Sequence, residues 1–380
     1  METGKILPKF NFSEKNWRIL RETLETGKLS VTSMKDPSPE WSKKLEEEFA
    51  RKFHAKHALS FNSCTSSIHS ALAALKIGQG NETIVSPTTC YSSILPIMAL
   101  GSVPIFCDID ENTLTINPKC ARKAITDDTK AILLPYVYGL PAETRKIRKI
   151  CDSNELALIE DCAHVPGMKI NGRLAGSFGD IACYSFAESK VLDCGEGGIA
   201  ITNNKELAEE MRFFKEGGKR AFRVYSPKGA NYRMTAFNAF LALNQLKKLQ
   251  KTITTKESIF KKYAQGIPKY IYAANKRSNV KSVALFKSRN AREIIKELSK
   301  AGLKTKGIYR PLNEANIFQN RNLLLEALTN DKNLKKFEQD SNPTPKANKA
   351  FQELFYFETD VQKTIGYHKQ AAEKFHELIR

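Results

Sequence analysis

The chain has 380 residues, 41% of them hydrophobic and 27% charged, a balance that suits a folded protein with a large core and room for two lobes. Lysine and arginine outnumber the acidic residues 60 to 41, giving a net charge of +19, but they are scattered over stretches such as QLKKLQKTITTKESIFKKY rather than gathered in one arm. That pattern reads as solvated surface with a general pull on anionic small molecules, and it argues against a nucleic-acid partner. No apolar run reaches membrane-spanning length, and the opening METGKILPKFNFSEKNW lacks the marks of a secretion signal. The expectation is a cytoplasmic protein with no membrane partner. All eight cysteines fall between Cys64 and Cys194, mostly in apolar runs and without metal-ligand spacing, so they read as reduced, buried thiols with no metal site.

Along the chain, the first thirty or so residues look helical. From His57 to about Asn204 strand-like and helix-like segments alternate: KHALSFN, ETIVSP, VPIFCDID, KAILLPYVYG, LALIED and IACYSF as strands, SSIHSALAALKI, YSSILPIMALG and ETRKIRKICDSN as helices. Such alternation predicts a mainly parallel sheet covered by helices on both faces, a three-layer α/β/α domain. NYRMTAFNAFLALNQLKKLQ reads as an amphipathic helix, after which lysine and asparagine become more frequent. The expected division is a large domain over residues 1–248 and a smaller α+β domain over 249–380, with the first thirty residues packing on the latter.

Ligands of open α/β sheets bind beyond the carboxyl ends of the strands, and three polar groups are expected there. In SFNSCTSSIHSALAAL a strand runs into a polar turn, and the helix that opens at Thr65, Ser66 and Ser67 offers free N–H groups and hydroxyls to a phosphate. Taken alone, these residues would be helix caps. In LALIEDCAHVPG, Asp161 ends a buried strand, where a carboxylate needs a cation or a strong donor, and His164 follows. In IACYSFAESKVLDCGEGG, Ser185 closes a strand and Lys190 stands five residues on. A lysine in a desolvated pocket loses its proton readily and attacks carbonyls; an arbitrary lysine on a loop would more often snorkel to solvent. A phosphate cradle, a strand-end aspartate, a serine and a buried lysine are together what pyridoxal 5'-phosphate requires.

From EWSKKLEEEFARKFHAKHALSFNSCTSSIHSAL, through LIEDCAHVPGMKINGRLAGSFGDIACYSF and ESKVLDCGEGGIAITNN, to NYRMTAFNAFLALNQLKKL, the chain resembles the DegT/DnrJ/EryC1/StrS family of sugar aminotransferases. The resemblance implies a fold type I pyridoxal-phosphate transferase. By position, Lys190 matches the lysine that holds the cofactor aldehyde as a Schiff base and shuttles the proton. Asp161 matches the partner of the pyridine nitrogen, and His164 the residue near the phenolic oxygen. Thr65, Ser66 and Ser185 match phosphate-binding positions. Asn231 matches an asparagine that reaches the neighbouring subunit's phosphate, which implies a homodimer with shared active sites. Tyr309, in GLKTKGIYRPLNEANIF, matches a substrate-binding tyrosine. Where the family has an aromatic residue stacked on the ring this chain has Cys90, with Tyr91 beside it. Either Tyr91 turns in to stack or the ring is held by thinner contacts. The family's dehydratases replace the lysine by histidine, so Lys190 favours transamination.

The function this implies is transfer of an amino group, with glutamate as donor, to the keto carbon of a nucleotide-linked deoxysugar. The alternatives are a cyclic ketone without a nucleotide as acceptor, or a degenerate homologue with a regulatory or binding role.

Overall fold

The computed structural model describes residues 12–27, 40–221, 224–225, 228–266, 271–272, 278–320, 328, 333–335, 337, 343–360, 363 and 365–378. Its frame is a seven-stranded sheet in the order β1-β9-β8-β5-β4-β2-β3. The strands are β1 (His57–Phe61), β2 (Glu82–Val85), β3 (Val103–Phe106), β4 (Thr129–Pro135), β5 (Ala157–Asp161), β8 (Ile181–Ser185) and β9 (Gly198–Thr202). β2, β3, β4, β5 and β8 pair in parallel, while β9 is antiparallel to both β8 and β1. Six strands therefore share one direction, and β9 alone in this sheet runs against them. Their near-continuous apolar sequences follow from burial on both faces: β8 and β9 are buried at every position. The six like-directed strands end along one edge, and β9 begins on that same edge.

Helices α1 (Glu14–Glu25), α2 (Glu40–Phe53), α3 (Cys64–Ala74), α4 (Tyr91–Ala99), α5 (Pro118–Lys123), α6 (Thr144–Ser153) and α7 (Lys205–Lys215) surround the sheet. Each strand and helix named from the sequence between His57 and Asn204 is present. A small hairpin, β6 (Lys169–Ile170) with β7 (Arg173–Leu174), was not foreseen; it turns on Asn171-Gly172, both at positive φ.

The helix expected after Asn231 begins at Ala236, where the Thr235 hydroxyl accepts the Asn238 N–H. This helix, α8, runs unbroken to Gly266, so the expected boundary at 248/249 lies inside one rod. Its first half adds to the sheet's core through Phe240, Leu243 and Leu246, and its second half adds Ile259, Phe260 and Tyr263 to a separate core. That second core is built on an antiparallel sheet, β12 (Val283–Lys287) and β13 (Thr305–Gly307) flanking β14 (Leu354–Glu358). α9 (Ala291–Lys300) lies against it, the single turn α10 (Asn316–Gln319) instead adds Phe318 to the first core, and α11 (Pro345–Glu353) and α12 (Ile365–Leu378) complete the second lobe. A short ladder, β10 (Lys219–Ala221) with β11 (Val224–Tyr225), precedes α8.

The packing expected of the first thirty residues is corrected by α1. The Phe12 ring lies 5.8 Å from Phe240, and Asn16 Nδ2 donates to Asn244 Oδ1 at 2.8 Å. The helix thus docks on the first half of α8 rather than on the C-terminal lobe, because its aromatic neighbours Phe12 and Trp41 both meet Phe240. Residues 1–11 and 28–39 lie outside the described part. Among the described residues no helix is long and apolar enough to cross a membrane.

Candidate active site

At the strand edge described above, the chain encloses a cavity of about 250 Å³. Segments that follow β1, β2, β4, β5 and β8 supply its walls, and Glu196 and Tyr309 close it. Of the residues singled out from the sequence, Thr65, Asp161, His164, Ser185, Lys190 and Tyr309 line this one space. They converge because the strands that carry them end on one edge.

Lys190 sits on the loop between β8 and β9. Among the described residues its amine has no hydrogen bond and no ion pair. Burial pushes it below the ordinary lysine range, and the Asp161 carboxylate pulls it part of the way back. Asp161 is 6% exposed at the end of β5, where its Oδ2 accepts from Ser93 Oγ at 2.7 Å and its Oδ1 from the Ala163 N–H at 3.0 Å. Burial raises its pKa above the ordinary aspartate value, and these two donors together with Lys190 oppose that rise. The carboxylate is thus supported as an anion and retains acceptor capacity toward the cavity.

At the start of α3, Ser63 is the N-cap: its Oγ accepts the Ser66 N–H at 3.0 Å. The N–H groups of Cys64 and Thr65 have no protein acceptor among the described residues, and neither has the Thr65 hydroxyl a partner. Gly198, the first residue of β9, lies against this turn so closely that a Cβ there would meet Cys64 N at 2.5 Å. Ser66 does not join the cradle. Its hydroxyl donates to Asn62 Oδ1 at 2.6 Å and lies 2.8 Å from Ser63 Oγ, a capping role that turns it from the cavity. On the opposite wall Ser185 Oγ accepts the Ala187 N–H at 3.2 Å and keeps its own proton to donate.

His164 Nδ1 accepts the Tyr138 N–H at 3.0 Å, so a neutral ring carries its proton on Nε2. Burial and the positive charge of Lys190 hold its pKa well below the usual range, which keeps it neutral. Tyr138 in turn accepts the Tyr309 N–H on its hydroxyl at 2.5 Å and fixes the segment that carries Tyr309.

Two expected residues lie elsewhere. Tyr91 is the first residue of α4 and 38% exposed; the helix begins by turning it outward, while Cys90, the N-cap, faces the cavity. Stacking by Tyr91 is therefore corrected to a wall formed by Cys90 with Thr89 and Ser93. Asn231 is exposed and outside the cavity, where its backbone forms an isolated antiparallel bridge with Glu216.

Sequence reasoning missed Ser93, Tyr138 and Glu196. Ser93 follows β2 as Thr65 follows β1, so the strand-end rule applied evenly would have found it. Tyr138 gave no local signal. Its φ of +59°, costly for a side-chain-bearing residue, appears only in the folded chain. All eight cysteines are free, and no cluster of three or more metal-ligating side chains occurs among the described residues.

The fold superposes on that of the aminotransferase from Psychrobacter cryohalolentis with a TM-score of 0.84, over 98% of this chain and 98% of that one, at 24% identity. It superposes on 3-amino-5-hydroxybenzoic acid synthase with a TM-score of 0.84, over 99% of each chain at 22% identity. The architecture is the fold type I α/β transferase expected from the sequence. The pattern of the DegT/DnrJ/EryC1/StrS aminotransferase family matches residues 21–336, and the chain belongs to that family. It is 37% identical over 226 residues to GDP-perosamine synthase of Escherichia coli O157:H7, covering 59% of this chain and 62% of that protein. It is 37% identical over 254 residues to the spore coat polysaccharide biosynthesis protein SpsC of Bacillus subtilis, covering 64% of each. The chain thus spans less than two thirds of the length of these relatives.

Proposed function

We propose that this chain is an aminotransferase that uses pyridoxal 5'-phosphate to move an amino group from glutamate to the keto carbon of a nucleotide-linked sugar. The observation that carries the reading is Lys190: a half-buried amine with no hydrogen bond or ion pair among the described residues and a lowered pKa, opposite a supported carboxylate and beside an open helix start. Family membership supports the reaction class, and the name of the E. coli relative supports a sugar nucleotide as acceptor.

The residues fit the cofactor. The free N–H groups of Cys64 and Thr65, with the Thr65 and Ser185 hydroxyls, would hold a phosphate ester. Asp161 would keep a proton on the ring nitrogen, and the His164 Nε2–H would donate to the phenolic oxygen. When bound, the cofactor supplies an aldehyde to carry the amino group and a ring that accepts an electron pair. Lys190, whose hold on its proton burial weakens, takes the proton from the donor's α-carbon and later returns one to the acceptor's carbon. Tyr309, held from behind by Tyr138, forms the wall that faces the substrate, and the net charge of +19 favours the approach of a diphosphate. The exposed Asn231 is assigned to the cavity of a second copy in a homodimer. The eight free thiols accord with a reducing cytoplasm.

The test begins with the purified protein and the cofactor. A visible absorbance should form, glutamate should remove it, and borohydride should leave a pyridoxyl mass on the Lys190 peptide. Lys190→Ala should show none of these, and a variant that still responds to glutamate would overturn the proposal. The acceptor is tested with keto sugars linked to GDP, UDP and dTDP beside free cyclic ketones; turnover of the free ketones alone would remove the sugar-nucleotide half. Mixing Lys190→Ala with Asn231→Ala subunits should restore activity, since one hybrid site then has both residues. No recovery in a proven hybrid dimer would refute the shared site.

A further inference from the structure

We infer that Asp193, which no part of the reading above uses, is the positioning residue that aims Lys190 into the cavity; the inference rests on the proposed role of Lys190. Beyond Ser185 the chain folds back on itself. Phe186 donates its N–H to Gly197 O, Cys194 to Phe186 O and Glu188 to Gly195 O, all at 2.9 Å. This leaves residues 189–194 as the tip of a closed loop, with Lys190 on it. The amine of Lys190 is tied to nothing, and its N–H makes one weak bond, to Ala187 O at 3.2 Å. Its direction is therefore set by the backbone of the tip.

That backbone is under tension at the residue before it. Ser189 has a φ of +74°, a left-handed conformation that an exposed serine does not choose unaided. Asp193 compensates. Its Oδ2 accepts the Ser189 N–H at 3.2 Å and its Oδ1 accepts the Gly195 N–H at 2.9 Å, so one carboxylate spans the tip from side to side. A serine or threonine hydroxyl could not place two acceptor oxygens. Asp193 is 7% exposed and feels the charge of Lys256 on α8, whose amine donates to Thr359 O at 2.9 Å. Nearer the start of the same helix, Asn238 Nδ2 donates to Glu196 O at 2.6 Å and to Cys194 O at 3.3 Å. Asp193 ties the tip across itself and α8 holds its far side through Asn238, while the Lys190 side chain stays free to line the cavity.

The experiment measures how fast Lys190 is captured. Wild type, Asp193→Ala and Asp193→Asn are mixed with pyridoxal phosphate and, separately, with pyridoxal. Borohydride quenches the mixtures at intervals, and the labelled Lys190 peptide is weighed. Asp193→Ala should slow capture at least tenfold with both aldehydes, because the fault lies in the lysine and not in the phosphate cradle. Asp193→Asn, which keeps one acceptor oxygen, should fall between. In turnover, kcat should drop while KM for glutamate changes less than twofold. Capture at the wild-type rate by a folded Asp193→Ala would overturn the inference, even if its melting temperature fell. Should that variant not fold, an unslowed Asp193→Asn would do the same. If wild type itself gains no label at Lys190, the proposed function fails first and the inference goes with it.

Discussion

Gly198→Ala tests the link between the sheet and the phosphate cradle. An added methyl would lie 2.5 Å from Cys64 N and 2.6 Å from both Ser63 C and Ser63 O. Carbon atoms rest at roughly 3.5 Å from such neighbours, so about 1 Å of backbone movement is demanded. None of the three contacts is a side chain that could swing away. Overpacking of this kind costs about 1–3 kcal/mol of stability. The larger effect should be local, because the atoms displaced belong to the turn that presents the Cys64 and Thr65 amides. A bond stretched beyond 3.5 Å is lost, and one bond to a charged group is worth about 1.5–3 kcal/mol. Affinity for pyridoxal phosphate should therefore fall by about 10- to 100-fold. Titration by absorbance, with pyridoxal run in parallel, checks the cause: pyridoxal lacks the phosphate and should bind nearly as it does to wild type. If the variant is destabilised yet binds pyridoxal phosphate normally, or loses both ligands equally, the cradle argument is refuted.

Asp161→Asn should still capture pyridoxal phosphate on Lys190 but transaminate about 10²- to 10³-fold more slowly, read by single-turnover absorbance with glutamate. Because Asp161 raises the lysine's pKa, the same variant should shift the pH profile of borohydride labelling to lower pH; an unmoved profile would deny the pair any interaction. Lys256 is buried, and its pKa falls from 10.5 to about 8. Between those values the unfolded chain binds more protons than the folded one, so this site makes stability rise with pH by about 3 kcal/mol in all. Below pH 8 both states are protonated and the full cost of burial remains. Urea denaturation at pH 7 and pH 10 should show this rise in wild type and its absence in Lys256→Met, comparing differences so that other groups cancel. Equal pH slopes in the two proteins would contradict a buried, proton-shedding lysine.

Much of the large domain was legible because its information is local. Runs such as LALIED and IACYSF are mostly apolar without alternation, which a sheet covered on both faces accommodates, and the helical stretches between them favour parallel order. That order sends the strand ends to one edge, so the sequence alone places Asp161, Ser185 and the turn at Thr65 together. The C-terminal lobe was legible only as a change in composition. Its β12, β13 and β14 are far apart in the chain and pair without a short turn to announce them.

Only the tertiary structure decided which side chains at that edge face inward. Cys90 and Tyr91 are consecutive, and the rotation of α4 about its axis brings the thiol in and leaves the ring outside. Ser66 carries the same hydroxyl as Ser185, but Asn62 and Ser63 claim it first. The side-chain donor to Asp161 is Ser93, 68 residues away along the chain, and the acceptor that anchors Tyr309 is Tyr138, 171 residues away. Hydrogen bonds over such separations depend on how packed helices and loops are turned toward one another. Periodicity along the chain reports whether a residue is buried, but not which distant neighbour meets it there.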